Sequence, residues 1–237
     1  YQFYISEKKD EVMARKGAVP TQDIPAVTQL FTPHWLVRYI VENTLGKLWI
    51  LNHPNSNLIR HMPYYIEGEL EEKFIKIDSP EEIKILDPAC GSGHLLTYAF
   101  DLLYLIYEEE GYSQIEIPEL IFKNNLEGIE ICPRAAQLSE LALVFKAREK
   151  SRRFFNFDPP LRPKITELKD INLSDYEISE YFQVLKQKDI YKKELIELSQ
   201  EFKKAKDIGS LIQPSIKNET IGIIRKELEN TTIELDL

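Results

Sequence analysis

The amino-acid sequence predicts an α/β protein with an incomplete parallel sheet, preceded by a helical lead-in and followed by a mainly helical segment. Three short stretches rich in Ile and Leu alternate with two long apolar helices. Strands joined by helices of this length run parallel and are connected by right-handed crossovers. We therefore expect a lead-in over residues 1–26, the sheet region over 27–172 and a mainly helical segment over 173–237.

The composition narrows the class of protein. With 237 residues, 43% of them apolar, the chain can bury one good core, which excludes collagen-like and disordered chains. Two cysteines cannot form a secreted disulfide framework, so we expect a reducing, cytoplasmic environment. No apolar run approaches the roughly 20 residues of a membrane span, and we expect no membrane partner. The first residue is Tyr1 and not Met, which favours a segment of a longer polypeptide.

The first clear helix is predicted to begin at Pro33. Thr32 is a favourable N-cap and proline is favoured at the first helical position, so we expect a helix from Pro33 to about Leu48. The next stretch, 50–82, contains Asn, His and Pro residues and an acidic run, and we expect a surface excursion there. The side chains at helical spacing in the helix are Trp35, Leu36, Tyr39, Ile40, Asn43 and Leu45.

Two strand–helix units and a third strand form the predicted sheet. A strand over 82–86 leads to a helix over 94–109, a strand over 126–131 leads to a helix over 133–150, and the third strand covers 165–170. The apolar stripe expected on the second of these helices is Ala135, Leu138, Leu141, Ala142 and Phe145.

The pattern changes after residue 173. Residues 181–206 are polar with one apolar patch, and we expect a helix there and another over 219–229. A short strand is possible only over 232–235, so the last segment is expected to be mainly helical.

The most informative segment is the turn Asp87-Pro88-Ala89-Cys90-Gly91-Ser92-Gly93. It lies where the first strand ends and a helix begins, and ligands of open α/β sheets bind outside the carboxyl ends of the strands. Its glycines permit backbone conformations closed to other residues and let a bulky ligand approach. A dinucleotide fingerprint would need a small residue where Leu96 stands, so the turn matches a nicotinamide-binding site poorly.

This turn resembles motif I of the S-adenosylmethionine-dependent DNA adenine-N6 methyltransferases. Three further segments resemble motifs of that family in the expected order, and the stretches 28–49 and 85–103 look most like the large methyltransferase subunits of BREX, phage-growth-limitation and restriction-modification systems. The matching segments are Gln29-Leu30-Phe31-Thr32-Pro33 for motif X, Gly128-Ile129-Glu130-Ile131 for motif II and Asp170-Ile171-Asn172 for motif III.

The resemblance implies an incomplete Rossmann-like class I methyltransferase sheet with S-adenosyl-L-methionine as its cofactor. Motif X would pack over the methionine end of the cofactor, Glu130 would bind the ribose hydroxyls, and either Asp170 or Asn172 would lie beside the adenine ring. A helix-capping role for Asp87 and an ordinary strand-end role for Glu130 remain the structural alternatives. The implied cofactor-binding residues are Phe31, Thr32, Pro33, Asp87, Pro88, Ala89, Gly91, Gly93, Glu130, Ile131, Asp170 and Asn172, with no metal ligand.

The family's (D/N/S)-P-P-(Y/F/W) motif has no good match. In that motif a polar side chain and a proline carbonyl hold the target amine, and the aromatic ring stacks on a flipped base. The candidate Asp158-Pro159-Pro160-Leu161 lacks the aromatic residue and precedes the third strand, so we interpret it as a loop. We expect no catalytic residue within this chain, which would bind the cofactor but not methylate alone.

The resemblance also implies partners: double-stranded DNA, through the longer parent protein, and restriction or phage-defence subunits. Two alternatives stay open. RNA and protein-glutamine methyltransferases share motif I and the same amine chemistry. A non-catalytic DNA-binding subunit would use the basic segment 146–169, although the net charge of −9 argues against strong binding.

Overall fold

The computed structural model contains two compact units, residues 1–167 and residues 168–237. The sheet lies in the first unit, and it is parallel with helices packed against it, so the predicted incomplete α/β fold is confirmed. The structure describes residues 2–15, 17–20, 23–28, 32–68, 73–156, 160–170, 174, 176, 189–205, 211–222 and 225–226.

Among the described residues, three strands form the sheet, in the order β1-β2-β3: β1 (Ile85–Asp87), β2 (Leu126–Glu130) and β3 (Lys164–Glu167). Both pairs are parallel, with Asp87 opposite Gly128 and Glu130 opposite Glu167. The predicted third strand, 165–170, extends too far, because the strand and its pairing with β2 end at Glu167, opposite Glu130.

The first strand also differs from its prediction. Residues 80–82 form a short 3-10 turn with Pro80 at its start, so the predicted beginning at Glu82 was wrong and pairing begins at Ile85. Asp87 is consequently the last residue of β1 and not the residue after it. The carboxyl ends of β1 and β2 therefore meet at Asp87 and Glu130.

The helices of the first unit match the sequence pattern at several boundaries. The predicted helices 94–109 and 133–150 are present with those limits, whereas the helix over 117–124 was missed. The helices are α1 (Gln2–Ala14), α2 (Ile24–Thr28), α3 (His34–Val41), α4 (Lys47–Asn52), α5 (His94–Glu109), α6 (Ile117–Asn124) and α7 (Pro133–Lys150).

A π-helical turn over Glu42–Gly46 joins α3 to α4, so the helical run extends beyond its predicted end near Leu48. The side chains of Asn43 and Thr44 donate hydrogen bonds to the carbonyls of Tyr39 and Ile40, each 2.8 Å long. These side chains compete with the backbone N–H groups for the i−4 carbonyls. We attribute the π-helical turn, which is wider than an α-helical turn, to this competition.

The core of the first unit centres on α5. Phe100, Leu103 and Ile106 of this helix have no exposed surface, and Trp49 of α4 packs in the same cluster. Along α3, the π turn and α4, the buried residues follow one another at helical spacing as Val37, Val41, Leu45 and Trp49.

The predicted apolar stripe of α7 is confirmed at Ala135, which is buried, and wrong at its two largest exposed members. Leu141 and Phe145 are 46% and 61% exposed, respectively. The buried face is rotated relative to the predicted stripe and contains small residues, because α7 lies close to the turn before α5 and to α5 itself. The buried residues of α7 are Ala135, Ala136, Ser139, Leu143 and Ala147.

The stretch 50–82 is not merely a surface excursion, contrary to the prediction. Leu58, Met62 and Ile77 are buried in the core cluster. Side chains of the preceding helical run hold this irregular stretch: the Asn52 amide donates to the Ile75 carbonyl (3.0 Å) and accepts from the Ile77 N–H (3.2 Å). The segment thus contributes side chains to the core.

The second unit contains one long described helix, α8 (Asp189–Glu201), within the predicted range 181–206. Glu194 on α8 accepts hydrogen bonds from Lys217 (2.8 Å) and Thr220 (2.5 Å), which lowers the pKa of its carboxyl. Residues 218–222 and 225–226 are helical, whereas the possible strand over 232–235 lies outside the described residues. In the described part of the chain, no helix has the length and apolar character needed to cross a membrane.

Candidate functional site

The turn from Asp87 to Gly93 connects the carboxyl end of β1 to the start of α5. The Ala89 N–H donates to Asp87 Oδ1 at 3.2 Å, and the Cys90 N–H donates to the Ile129 carbonyl at 3.0 Å. The second bond fixes the turn to the end of β2. The turn is therefore held on the sheet edge where ligands of parallel sheets bind.

Gly91 and Gly93 both have left-handed backbone conformations, with φ of +55° and +83°. A Cβ atom on Gly91 would meet no other atom within 4 Å, so this part of the turn is open to an approaching molecule. A Cβ atom on Gly93 would lie 3.1 Å and 3.2 Å from the Cβ and Cα atoms of Ser139, and closer still to its hydroxyl. Gly93 is thus required by packing against α7.

Glu130 lies at the end of β2 and its carboxylate is tied to two backbone groups. One oxygen accepts from the Gly91 N–H (2.7 Å) and the other from the Cys132 N–H (2.8 Å). The residue is 7% exposed, so the alternative of an exposed strand-end glutamate does not describe it. The carboxylate joins the glycine turn to the start of α7 and has a fixed orientation.

Burial affects the other titratable groups of the turn. Burial raises the pKa of the Asp87 carboxyl, the Ala89 N–H counteracts this, and the negative charge of Glu130 adds to the rise. Burial also raises the pKa of the Cys90 thiol to about 11, so this cysteine is a protonated packing residue at neutral pH. The site therefore concentrates two carboxyl groups beside the open glycine turn.

A cavity of about 720 Å³ brings motif X and motif I together. Its wall includes Thr32 and Pro33, which precede α3, and Ser92 and His94, which lie at the start of α5. An ion pair between Asp101 and Lys146, 2.5 Å long, lines it as well. Residues far apart in the sequence are thus brought to one polar cavity beside the glycine turn.

A second cavity of about 410 Å³ lies along β1 and is mainly apolar. Asp87 and Pro88 line it, together with Ile40 and Leu48 of the helical run and Leu96 of α5. The motif I turn therefore lines both cavities: its first residues, Asp87 and Pro88, line the apolar cavity, and Ser92 lines the polar cavity.

Several predicted site residues are not placed by the described structure. Phe31, Asn172 and Asp158 lie outside the described residues. Asp170 is exposed and belongs to the second unit, and it lies three residues after the end of β3 instead of at the strand end. Ile131 is half-buried directly after β2. The roles expected for these residues remain predictions.

Two residues that pack against the turn or its neighbouring elements, Gly128 and Ser139, were not predicted as supports of the site. A Cβ atom on Gly128 would approach Ile165 Cδ1 to 2.7 Å and Leu96 Cδ1 to 2.9 Å, so a larger residue there would require the ends of these side chains to move. Ser139 has no exposed surface and faces Gly93. The sequence signal was available: a glycine inside a strand indicates close packing.

The described residues contain no cluster of three or more His, Cys, Asp or Glu side chains that could hold a metal ion. In the basic segment, Lys164 pairs with Glu127 (3.3 Å), and Arg148 and Lys150 lie over the rings of Phe155 and Tyr104. Part of its positive charge is therefore engaged within the first unit.

Comparison with known proteins supports the methyltransferase motifs. The chain is 50% identical over 162 residues, 65% of its length, to the adenine-specific methyltransferase BrxX of Escherichia coli O9:H4. It is 37% identical over 226 residues, 90% of its length, to the adenine-specific methyltransferase PglX of Lacticaseibacillus casei. The predicted resemblance is confirmed.

The chain spans 13% of the length of the BrxX relative and 18% of the PglX relative. A more distant relative from Methanocaldococcus jannaschii, named "putative type II restriction enzyme and methyltransferase", is 28% identical over 162 residues, 59% of this chain and 13% of its own length. No protein-family model matches the chain. The similarity thus concerns one segment of much longer adenine methyltransferases.

Proposed function

We propose that this chain is the cofactor-binding part of a DNA adenine-N6 methyltransferase of a phage-defence or restriction-modification system, with S-adenosyl-L-methionine as its cofactor. The observation that carries the proposal is the placement of Glu130 at the end of β2, with its carboxylate 2.7 Å from the N–H of the open glycine turn. The names of the two relatives above support the adenine-specific reaction. In the whole protein, the acceptor is adenine N6 in double-stranded DNA.

The residues present fit such a cofactor. A fixed carboxylate can accept hydrogen bonds from both hydroxyls of a ribose, as the acid after the second strand does in dinucleotide folds. The open space beside Gly91 allows the ligand to approach the backbone. The polar cavity beside Thr32 and Ser92 can hold a charged amino-acid group. The donor and acceptor types therefore suit both ends of S-adenosyl-L-methionine.

Each of the predicted cofactor-binding residues has a binding or orienting role in this proposal. Glu130 binds the ribose, Asp87 and the Ala89–Gly93 backbone orient the centre of the cofactor, and Thr32 and Pro33 cover its methionine end. Phe31, Pro88 and Ile131 supply apolar contact, and Asp170 or Asn172 lies beside the adenine ring. The cofactor supplies an electrophilic methyl group.

The chain by itself is expected to bind the cofactor without methylating DNA. The residues that hold a target amine belong to the (D/N/S)-P-P-(Y/F/W) motif, and the sequence offers only Asp158-Pro159-Pro160-Leu161 for it. Transfer of a labelled methyl group to adenine-containing DNA by the isolated chain would contradict this expectation.

Calorimetric titration with S-adenosyl-L-methionine tests the proposal, with Glu130→Gln as the variant. Loss of a charged acceptor is expected to weaken binding about tenfold or more. Glu127→Gln is the matched control, because Glu127 is an exposed residue of the same strand whose surface ion pair contributes little. Melting temperatures of all three proteins verify that they are folded. A folded wild-type chain that gives no heat at millimolar cofactor would refute the proposal.

A further inference from the structure

A buried carboxylate joins α3 to α5 beside the polar cavity. Glu42, the first residue of the π turn, has no exposed surface. Its Oε1 accepts a hydrogen bond from the Tyr98 hydroxyl and its Oε2 accepts one from the Tyr64 N–H, both 2.6 Å long. The two donors are neutral groups on different parts of the first unit.

This is an expensive way to hold two helices together. A buried polar side chain loses its hydration, and an apolar contact of similar volume often stabilises a fold as well or better. Glu42 also begins a π turn, a feature that occurs frequently at functional sites. The cost indicates that the exact relation between α3 and α5 matters for more than stability.

Tyr98 connects this contact to the candidate site. Its side chain lines the 720 Å³ cavity together with Thr32, Pro33, Ser92 and His94. The guanidinium of Arg38, on α3, lies 5.5 Å from the centre of the Tyr98 ring. The ring of Tyr98 therefore contacts Arg38, while its hydroxyl contacts Glu42. Burial, followed by the bond to Glu42, raises the pKa of the Tyr98 hydroxyl, which keeps it a donor.

The segment Thr32–Pro33 continues directly into α3, and Ser92 continues directly into α5. Because helices move as rigid elements over two or three turns, the bond that fixes α3 against α5 also fixes these two segments against each other. The contact between Glu42 and Tyr98 is therefore one of the contacts that hold the two cavity-lining segments in their relative positions.

We propose that Glu42 and Tyr98 are positioning residues that hold Thr32–Pro33 at the distance from the start of α5 required by the amino-acid end of the cofactor. This inference rests on the proposed function. It predicts that loosening the contact weakens the recognition of the amino-acid end and leaves the recognition of the adenosine end unchanged.

Two ligands separate the two ends: S-adenosyl-L-methionine and 5′-methylthioadenosine, which lacks the amino-acid group. Calorimetry on the full 237-residue chain is expected to show that Tyr98→Phe weakens the first ligand about fivefold or more, while the second changes less than about twofold. The conservative variant Glu42→Gln should keep near-normal binding of both ligands. Its amide oxygen can accept from the Tyr64 N–H, and its N–H can donate to the Tyr98 hydroxyl oxygen.

Tyr107→Phe is the matched control. Tyr107 lies on the same helix, and its hydroxyl donates to the buried Asn125 side chain (2.9 Å), so the variant also loses one buried hydrogen bond. It should lower the melting temperature as Tyr98→Phe does and keep the ratio of the two affinities.

The outcomes are distinguishable. A Tyr98→Phe chain that is less stable but keeps both affinities would show a purely structural contact and overturn the inference, as would equal weakening of both ligands. A folded wild-type chain that binds neither ligand would refute the proposed function itself, and the positioning role with it. Selective loss in Tyr98→Phe alone supports both.

Discussion

Gly91 and Gly93 lie two residues apart in the same turn and have different surroundings. Both have positive φ, which costs a residue with a side chain roughly 1–2 kcal/mol. Only at Gly93 would a Cβ atom also press against Ser139 of α7. The same substitution at the two positions therefore separates backbone strain from overpacking.

Gly93→Ala should lower the free energy of unfolding by about 2–5 kcal/mol, since overpacking adds roughly 1–3 kcal/mol to the backbone cost of roughly 1–2 kcal/mol. Gly91→Ala should cost only the backbone contribution. Urea denaturation followed by circular dichroism measures both. Equal losses at the two positions would contradict the packing role of Gly93.

Asp87 should make the stability of the chain depend on pH. Its pKa is raised above the ordinary 3.8, mainly by burial, so the charged form costs stability once the pH rises above the raised value. At pH values below 3.8 the carboxyl is protonated in both the folded and the unfolded chain, and the cost vanishes.

Asp87→Asn is therefore expected to be more stable than the wild type at pH 7 and equally stable near pH 3, since its amide oxygen can still accept from the Ala89 N–H. Unfolding curves measured from pH 3 to pH 7 test this. The exposed Asp78→Asn serves as control and should stay within about 0.5 kcal/mol of the wild type throughout. A stability gain at pH 3 would exclude this explanation.

Among the elements, α5 and α7 could be predicted well because their ends carry strong signals: a glycine turn precedes His94 and Pro133 opens α7. The buried face of α7 could not be predicted. Apolar spacing favoured Leu141 and Phe145, but the close approach to the glycine turn selects a face with small residues such as Ser139. Tertiary packing selected this face over the predicted stripe.

Leucine substitutions on the two faces of α7 test this assignment. Leu143→Ala should destabilise the chain by about 2–5 kcal/mol, because Leu143 has no exposed surface. Leu141→Ala removes the same atoms from a residue that is 46% exposed and should cost less than about 1 kcal/mol. Chemical denaturation measures the free energy of unfolding of both variants. A larger loss of stability in Leu141→Ala would contradict the observed buried face and support the stripe predicted from sequence.

For the whole molecule, the main buried cluster of the described residues extends from Val41 to Phe154 and belongs to the first unit. The four sequence motifs could be recognised without a structure because each is short and contiguous. The supports of the site could not, since Ser139 below Gly93 and Tyr98 bonded to Glu42 depend on contacts between distant helices.

A chain shortened to residues 1–167 is accordingly expected to fold on its own. It should unfold in one cooperative transition. Circular dichroism during thermal unfolding measures this property. A gradual, non-cooperative transition would mean that the second unit is needed for the core.

The manner in which Glu130 is held has a consequence for sequence change. Both of its donors, at positions 91 and 132, are backbone N–H groups. Every amino acid except proline carries such a group. Substitutions at position 132 can therefore accumulate without disturbing the carboxylate, and the orientation of this acid is protected against most single mutations of the residue that holds it.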